Sequence, residues 1–162
     1  MIVVDTSALI TIASINLLDP VLTEYDVHTT ETVIEELEET AEYDDVHGQA
    51  AQTVLDQLNR IKVHKKNEPR FQSSRIDDGE GSTVTLANEK QAEFLITDDL
   101  RALPELQTVA TSKVVISPIL LKALVKREIL EQEEAVAKLE EAAKNRDWLE
   151  SPIYRKAKSL FQ

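Results

Sequence analysis

Four short stretches of the chain hold carboxylates in positions that a solvated surface does not require: VVDTS (residues 3–7), VIEELEE (33–39), DDGEGS (77–82) and FLITDD (94–99). Two of them are apolar runs that stop abruptly at aspartate. That is the pattern of a buried parallel strand delivering a carboxylate to the rim of a sheet. Acids gathered from distant points in a sequence repel one another unless something cationic sits among them. The chemistry they suggest is a divalent-metal site, and with it hydrolysis of a phosphate ester.

The elements that must position these acids follow from periodicity. Apolar runs predict strands at 2–4, 27–29, 61–64, 94–97 and 113–116. Helical patterns lie between them. Thr6 or Ser7 caps a helix over 8–18 that is apolar on every face, and Asp19-Pro20 opens a short helix to about residue 25. Thr29 or Thr30 caps a helix to residue 40, and a polar loop at 42–48 precedes a helix over 49–59. Asp77 or Asp78 caps a helix over 79–90, and Ser117-Pro118 starts another. Two polar helices close the chain at 131–146 and 152–161. Strands alternating with helices predict an α/β/α sandwich around a mainly parallel five-stranded sheet. Ligands of such sheets bind outside the carboxyl ends of the strands, where Asp5 and the Asp98-Asp99 pair fall.

Helical geometry then chooses among neighbouring acids. Val33, Ile34 and Leu37 define the buried face of their helix, and at about 100° per residue Glu35 lies nearly opposite while Glu36 borders it. Glu35, Glu38 and Glu39 are therefore solvated. Glu80 shares a stripe with Val84 and Ala87, and Gly79 and Gly81 leave space beside it. Asp77 and Asp78 are explained as caps. Asp5 directly follows Ile2-Val3-Val4. Spacing does not separate Asp98 from Asp99, since both lie beyond the apolar run.

Composition sets the bounds. The 162 residues fit one domain with a single sizeable core. The absence of cysteine excludes disulfides, thiolate metal sites and cysteine nucleophiles, and agrees with a cytoplasmic setting. No apolar stretch approaches the roughly 20 residues that span a bilayer, and no basic n-region marks a signal peptide, so neither a membrane nor secretion is expected. The net charge of −12 argues against nucleic acid on its face, but its distribution is uneven. Arg60, Lys62, Lys65, Lys66, Arg70 and Arg75 lie within residues 60–75 with Glu68 their only acid. This strip is either a solvated loop or a surface for phosphates beside the acidic site. His28, His47 and His64 fall outside the acidic stretches and read as structural or surface residues. Trp148 and Tyr154 read as packing the terminal helices, and Ala135, Leu139, Ala142 and Ala143 form a narrow apolar stripe on the first of them.

VVDTSALI, VIEEL, DGEGSTVTLA and LITDD, in this order, resemble the PIN-domain nucleases over residues 1 to about 125. The two later helices resemble a branch with a helical extension, which implies a core over 1–125 and an extension over 126–162 within the one domain. By that resemblance the family's first acid falls on Asp5 and its partnering hydroxyl on Ser7, with the second and third acids on Glu36 and Glu80. The family's T-x-D ending places Thr97 as a supporting hydroxyl, Asp99 as the fourth ligand and Asp98 as a supporting acid. Gly81 departs from the pattern, since this branch commonly has alanine after the glutamate.

The resemblance implies a metal-dependent endoribonuclease of the kind found in toxin–antitoxin pairs or in RNA processing. One or two Mg2+ or Mn2+ ions would be held by the four acids, oxygen ligands being suited to such hard cations. Single-stranded or structured RNA is the expected substrate, with Lys62, Lys65, Lys66, Arg70 and Arg75 along its path. A small antitoxin protein and a second copy of the chain are the expected partners. Two other classes use similar residues. Aspartate phosphotransfer, in receivers or phosphatases, also places acids and magnesium at strand ends, but the phosphatase pattern has a second aspartate where Ser7 stands. The other is a PIN-like module that binds RNA without cutting it.

Overall fold

The structure, a computed structural model, describes residues 1–65, 73, 75–148 and 151–162. Five strands, β1 (Ile2–Val4), β2 (Val27–Thr30), β3 (Lys62–His64), β4 (Phe94–Ile96) and β5 (Lys113–Val115), form one sheet in the order β3-β2-β1-β4-β5. Every pairing is parallel, with Ile2 opposite Val27 on one side and opposite Phe94 on the other. The sheet is thus wholly parallel. The chain runs outward from β1 through β2 to β3, then crosses back to β4 and β5 on the other flank. β1 and β4 therefore border the point where the winding reverses, which leaves a crevice at their carboxyl ends.

Side chains alternate across the strands and divide the core in two. Ile2 and Val4 of β1 and Ile96 of β4 face the larger core, whereas Val3 and Leu95 face the smaller. The larger core takes in α1 (Thr6–Ser14), α2 (Leu18–Glu24), α3 (Glu31–Thr40), α4 (Val46–Leu55) and α7 (Pro118–Lys126). The smaller is covered by α5 (Asp78–Lys90) and α6 (Leu103–Val109). Helix α1 is buried from Ala8 to Ala13 without interruption, as an internal helix must be when apolar residues occupy all its faces. Among the described residues no single helix is long and apolar enough to cross a membrane.

The extension packs on the body. In α8 (Gln132–Asn145), the stripe of Ala135, Leu139, Ala142 and Ala143 joins the larger core. Trp148 and, in α9 (Pro152–Ser159), Ile153, Tyr154 and Ala157 enter the same core.

Local capping shifted several element starts. Asp5 itself caps α1, its carboxylate accepting from Ala8 N, so neither Thr6 nor Ser7 is the cap. Helix α2 begins at Leu18 with no side-chain cap, leaving Asp19-Pro20 inside its first turn. Asp45 caps α4 through Gly48 N, which starts that helix three residues before Gln49. Helix α6 had no sequence counterpart: it spans only seven residues and opens on Leu103-Pro104.

Candidate active site

The carboxyl edge of β1 and β4 opens into a cavity of about 370 Å³. Among the described residues its walls carry six acids (Asp5, Glu36, Asp77, Glu80, Asp98 and Asp99), together with Thr6, Ser7, Ile10, Gly79 and Arg146. The sheet supplies Asp5 from the end of β1 and the Asp98-Asp99 pair from the end of β4, α3 supplies Glu36, and the start of α5 supplies Glu80.

Asp5 is the innermost of these acids, only 3 % exposed. Its Oδ1 accepts from Ala8 N at 3.0 Å and from Ser7 Oγ at 2.8 Å, and its Oδ2 accepts from Thr97 Oγ1 at 2.5 Å. Burial nevertheless pushes its carboxyl up to about 7, outweighing these three hydrogen bonds, with the neighbouring Asp98 adding repulsion. The two hydroxyls do more than hold Asp5. Ser7 Oγ also accepts from Asp98 N at 3.0 Å, and Thr97 Oγ1 accepts from Asp99 N at 3.2 Å. Together they stitch the end of β1 to the turn after β4.

The Asp98-Asp99 pair divides its work in a way that spacing does not reveal. Asp98 is buried, and its two oxygens accept from Ser117 N and Ser117 Oγ, both at 2.7 Å. It thereby fixes the junction of β5 and α7, although burial still raises its pKa. Asp99 is half-buried and uses one oxygen, Oδ1, to accept from Arg101 N at 2.9 Å and Ala102 N at 3.3 Å.

Glu80 is 5 % exposed, in line with its stripe of Val84 and Ala87. It forms a capping box with Asp77: Glu80 Oε2 accepts from Asp77 N at 3.0 Å, and Asp77 Oδ1 accepts from Glu80 N at 2.8 Å. This box, with Gly81 N donating to Asp77 O at 2.8 Å, secures the helix start where Gly81 replaces the more usual alanine. The Glu80 carboxyl is also in hydrogen-bonding contact with Asp99. Burial first, and then the contact with Asp99, drive its pKa far above the usual carboxylate range.

Glu36 reaches the site because α5 has no side chain in the way. Its Oε1 accepts from Thr6 Oγ1 at 2.8 Å, and a Cβ placed on Gly79 would stand 1.9 Å from that same oxygen. Burial raises Glu36 to about 7, with repulsion from Asp77, Glu39 and Asp78 added. Glu35, on the outer face, is exposed.

The donors are all hard oxygens, and the raised pKa values show that the fold gathers negative charge without matching it. That donor set fits Mg2+ or Mn2+. Among the described residues no group of three His, Asp or Glu side chains is arranged to hold an ion by itself. A closed cage is not required, because Mg2+ keeps several waters and is commonly held by one or two carboxylates and the phosphates of its substrate.

The basic strip lies elsewhere. Lys62 pairs with Asp26 at 3.0 Å, Arg60 with Asp19 at 2.6 Å, and Arg75 approaches Glu105 at 4.0 Å. Lys65 borders a separate cavity with His64, Ser82 and Lys90. None of these four lines the acid cavity, while Lys66 and Arg70 lie outside the described residues. The histidines are engaged in packing: His28 Nδ1 and His64 Nε2 are 2.8 Å apart, and His47 Nε2 bonds Asn145 O at 3.0 Å. Three wall residues carried no strong sequence signal. Thr6 was readable only as a cap, Gly79 only as open space, and Arg146 not at all.

Residues 1–162 match the family model DUF3368, described as a PIN domain. No curated protein matches the chain.

Proposed function

The chain belongs to the PIN-domain family of nucleases, and we propose that it is a divalent-metal-dependent endoribonuclease acting on single-stranded or structured RNA. The observation that carries this reading is the convergence of Asp5, Glu36, Glu80 and Asp99 on one cavity, with Asp5 and Glu80 buried, Glu36 and Asp99 half-buried, and burial raising the pKa of Asp5, Glu36 and Glu80. These four acids would hold one or two Mg2+ or Mn2+ ions, with Asp98 behind them.

An ion held by these acids would supply a water of lowered pKa and would offset the repulsion between the acids and the RNA backbone. The protein's own residues prepare the place. Ser7 and Thr97 spend their hydroxyl protons on Asp5, so its oxygens are aimed before any ligand arrives. Asp98 holds Ser117 and thereby the turn that carries Asp99. Glu80, whose pKa is raised chiefly by burial, must lose its proton to act as a ligand. Gly79 leaves room for Glu36.

Both oxygens of Asp5 are engaged by donors from Ala8, Ser7 and Thr97, which suits an oriented ligand better than the free nucleophile that phosphotransfer requires. The RNA preference and a toxin's role rest on the sequence resemblance. An antitoxin and a homodimer belong to the same proposal, and the exposed Ile129 and Val136 near the start of α8 are available to either.

The test is cleavage of a mixed single-stranded RNA pool, and of DNA of the same sequences, by wild type and Asp5→Asn with Mg2+, Mn2+ or chelator. Asparagine preserves the helix cap. Metal-dependent internal cleavage of RNA, lost in the variant, is expected. Equal cleavage by both proteins, or cleavage that survives chelation, would remove support for the reading. Metal-dependent binding of RNA with no cleavage would favour the non-cutting module.

A further inference from the structure

Among the described residues the wall of the acid cavity carries one guanidinium. Arg146 is the C-terminal cap residue of α8 and lines the wall with Asp5 and Asp98. Its Nε is buried with no hydrogen-bond partner, and among the described residues no ion pair within 4.0 Å joins it to an acid. The burial depresses its pKa, opposed by the fields of Asp98 and Asp5.

The backbone on either side is anchored. Asn145 Nδ2 donates to Ser14 O at 3.2 Å, at the end of α1, and Asn145 O is bonded by His47. Beyond the left-handed Asp147, Trp148 N donates to Ala143 O at 2.7 Å and its ring is buried. Arg146 is therefore held at the cavity wall by a built chain reversal and is not a loose surface arm.

A guanidinium carries five donors in a planar fork and stays charged in proteins, so burying one of them unpaired is costly. Phosphate oxygens match that fork, and Arg146 lines the cavity in which a strand would lie against the acids. We propose that Arg146 is a substrate-binding residue that grips a non-bridging phosphate oxygen of the nucleic-acid strand, at or next to the bond to be cut. In this role α8 belongs to the site: it sets the register of the strand against the acids. The proposal rests on the nuclease reading for the identity of the ligand, and its test does not depend on cleavage.

The probe is a short fluorescent single-stranded RNA of mixed sequence, titrated by anisotropy with Mg2+ over a series of salt concentrations. The proteins carry Asp5→Asn, so that the strand is not consumed, and are compared with and without Arg146→Ala or Arg146→Lys. Each phosphate contact on a single strand contributes about 0.7 to the slope of log K against log salt. Arg146→Ala is expected to weaken binding about tenfold and to reduce that slope by about 0.7. Arg146→Lys is expected to restore the slope while recovering the affinity only in part, because lysine is a point charge without the fork. An unchanged slope and affinity in Arg146→Ala would overturn the proposal, as would a loss of thermal stability with no change in slope, which marks a residue that only balances Asp98 and Asp5. RNA binding that depends on Arg146 in a protein whose wild type never cleaves would sink the nuclease reading and leave this inference standing. Cleavage by wild type with an Arg146-independent slope would do the reverse, and absence of binding by every protein would overturn both.

Discussion

Two groups of carboxylates lie at opposite edges of the same sheet, and their surroundings push them in opposite directions. At the amino edge, Asp26 precedes β2, remains 47 % exposed, and stands 3.0 Å from both Lys62 Nζ and His28 Nε2. These partners hold its carboxyl below the ordinary value. At the carboxyl edge, Asp5, Glu36 and Glu80 line one cavity, Asp5 and Glu80 buried and Glu36 half-buried, and burial raises all three. An acid that serves the fold is placed beside its countercharge. The acids proposed to hold a ligand are placed without such a partner, and their burial is costly in stability.

The sharpest way to break this comparison is by catalysis. Glu80→Gln is expected to lower RNA cleavage at least about 100-fold, by loss of a carboxylate proposed to hold the metal. Asp26→Asn is expected to change it by less than about twofold, since a surface ion pair contributes little. Comparable losses in initial-rate assays would erase the distinction.

Two glycines sharpen it further. A Cβ on Gly79 would meet the carboxylate of Glu36, a side chain that can swing away, whereas one on Gly48 would lie 1.8 Å from the backbone oxygen of Tyr43. Gly79→Ala is therefore expected to cut activity about 10- to 100-fold with little change in the denaturation midpoint. Gly48→Ala is expected to cost about 1–3 kcal/mol of stability in chemical denaturation and to leave the activity of the folded fraction intact.

Proton linkage gives a third contrast, with opposite signs at the two edges. A carboxyl raised in the fold confers stability that is complete below its unfolded value, about 4, and is lost as pH rises through the folded value. With Asp5 and Glu36 at about 7 and Glu80 higher, the metal-free protein is expected to lose thermal stability steadily from mildly acidic to mildly alkaline pH. Added Mg2+ is expected to flatten that loss. Asp26, depressed in the fold, contributes stability that is present above its unfolded value and is lost as pH falls through the folded one. In chelator at alkaline pH, Glu80→Gln is expected to raise stability by about 0.5–2 kcal/mol, because glutamine keeps the capping acceptor without the charge. Melting curves across pH for both proteins check the signs. The smallest effect belongs to Lys62→Ala, expected to cost between about 0 and 1 kcal/mol at low salt and nothing measurable at high salt.

Much of the frame was legible because its signals are local. Ile2-Val3-Val4 before Asp5, and Phe94-Leu95-Ile96 before Thr97, announce parallel strands ending at a rim, and the structure delivers them there as neighbours. The inward turn of Glu36 and Glu80 follows from helical spacing alone. What escaped depends on partners distant in sequence. Asp98 and Asp99 look alike until Ser117, nineteen residues on, takes both oxygens of the first. Arg146 ends a polar helix, where a cation is already explained by the helix dipole, and only tertiary packing turns it toward the acids. For the basic strip, composition shows the charge but not its partners: Lys62 and Arg60 pair with Asp26 and Asp19, and neither lines the acid cavity. Helix α6 was too short for its periodicity to register.

The most direct test of whether the raised acids form a metal site is calorimetric titration of the protein with Mn2+ near neutral pH, in two buffers of different ionisation enthalpy. Carboxyls that hold protons in the empty fold must release them when the ion binds. Binding accompanied by net proton release, sharply reduced in Glu80→Gln and unaltered in Asp26→Asn, is the expected result. Binding with no proton release, or no binding by the wild-type protein, would contradict it.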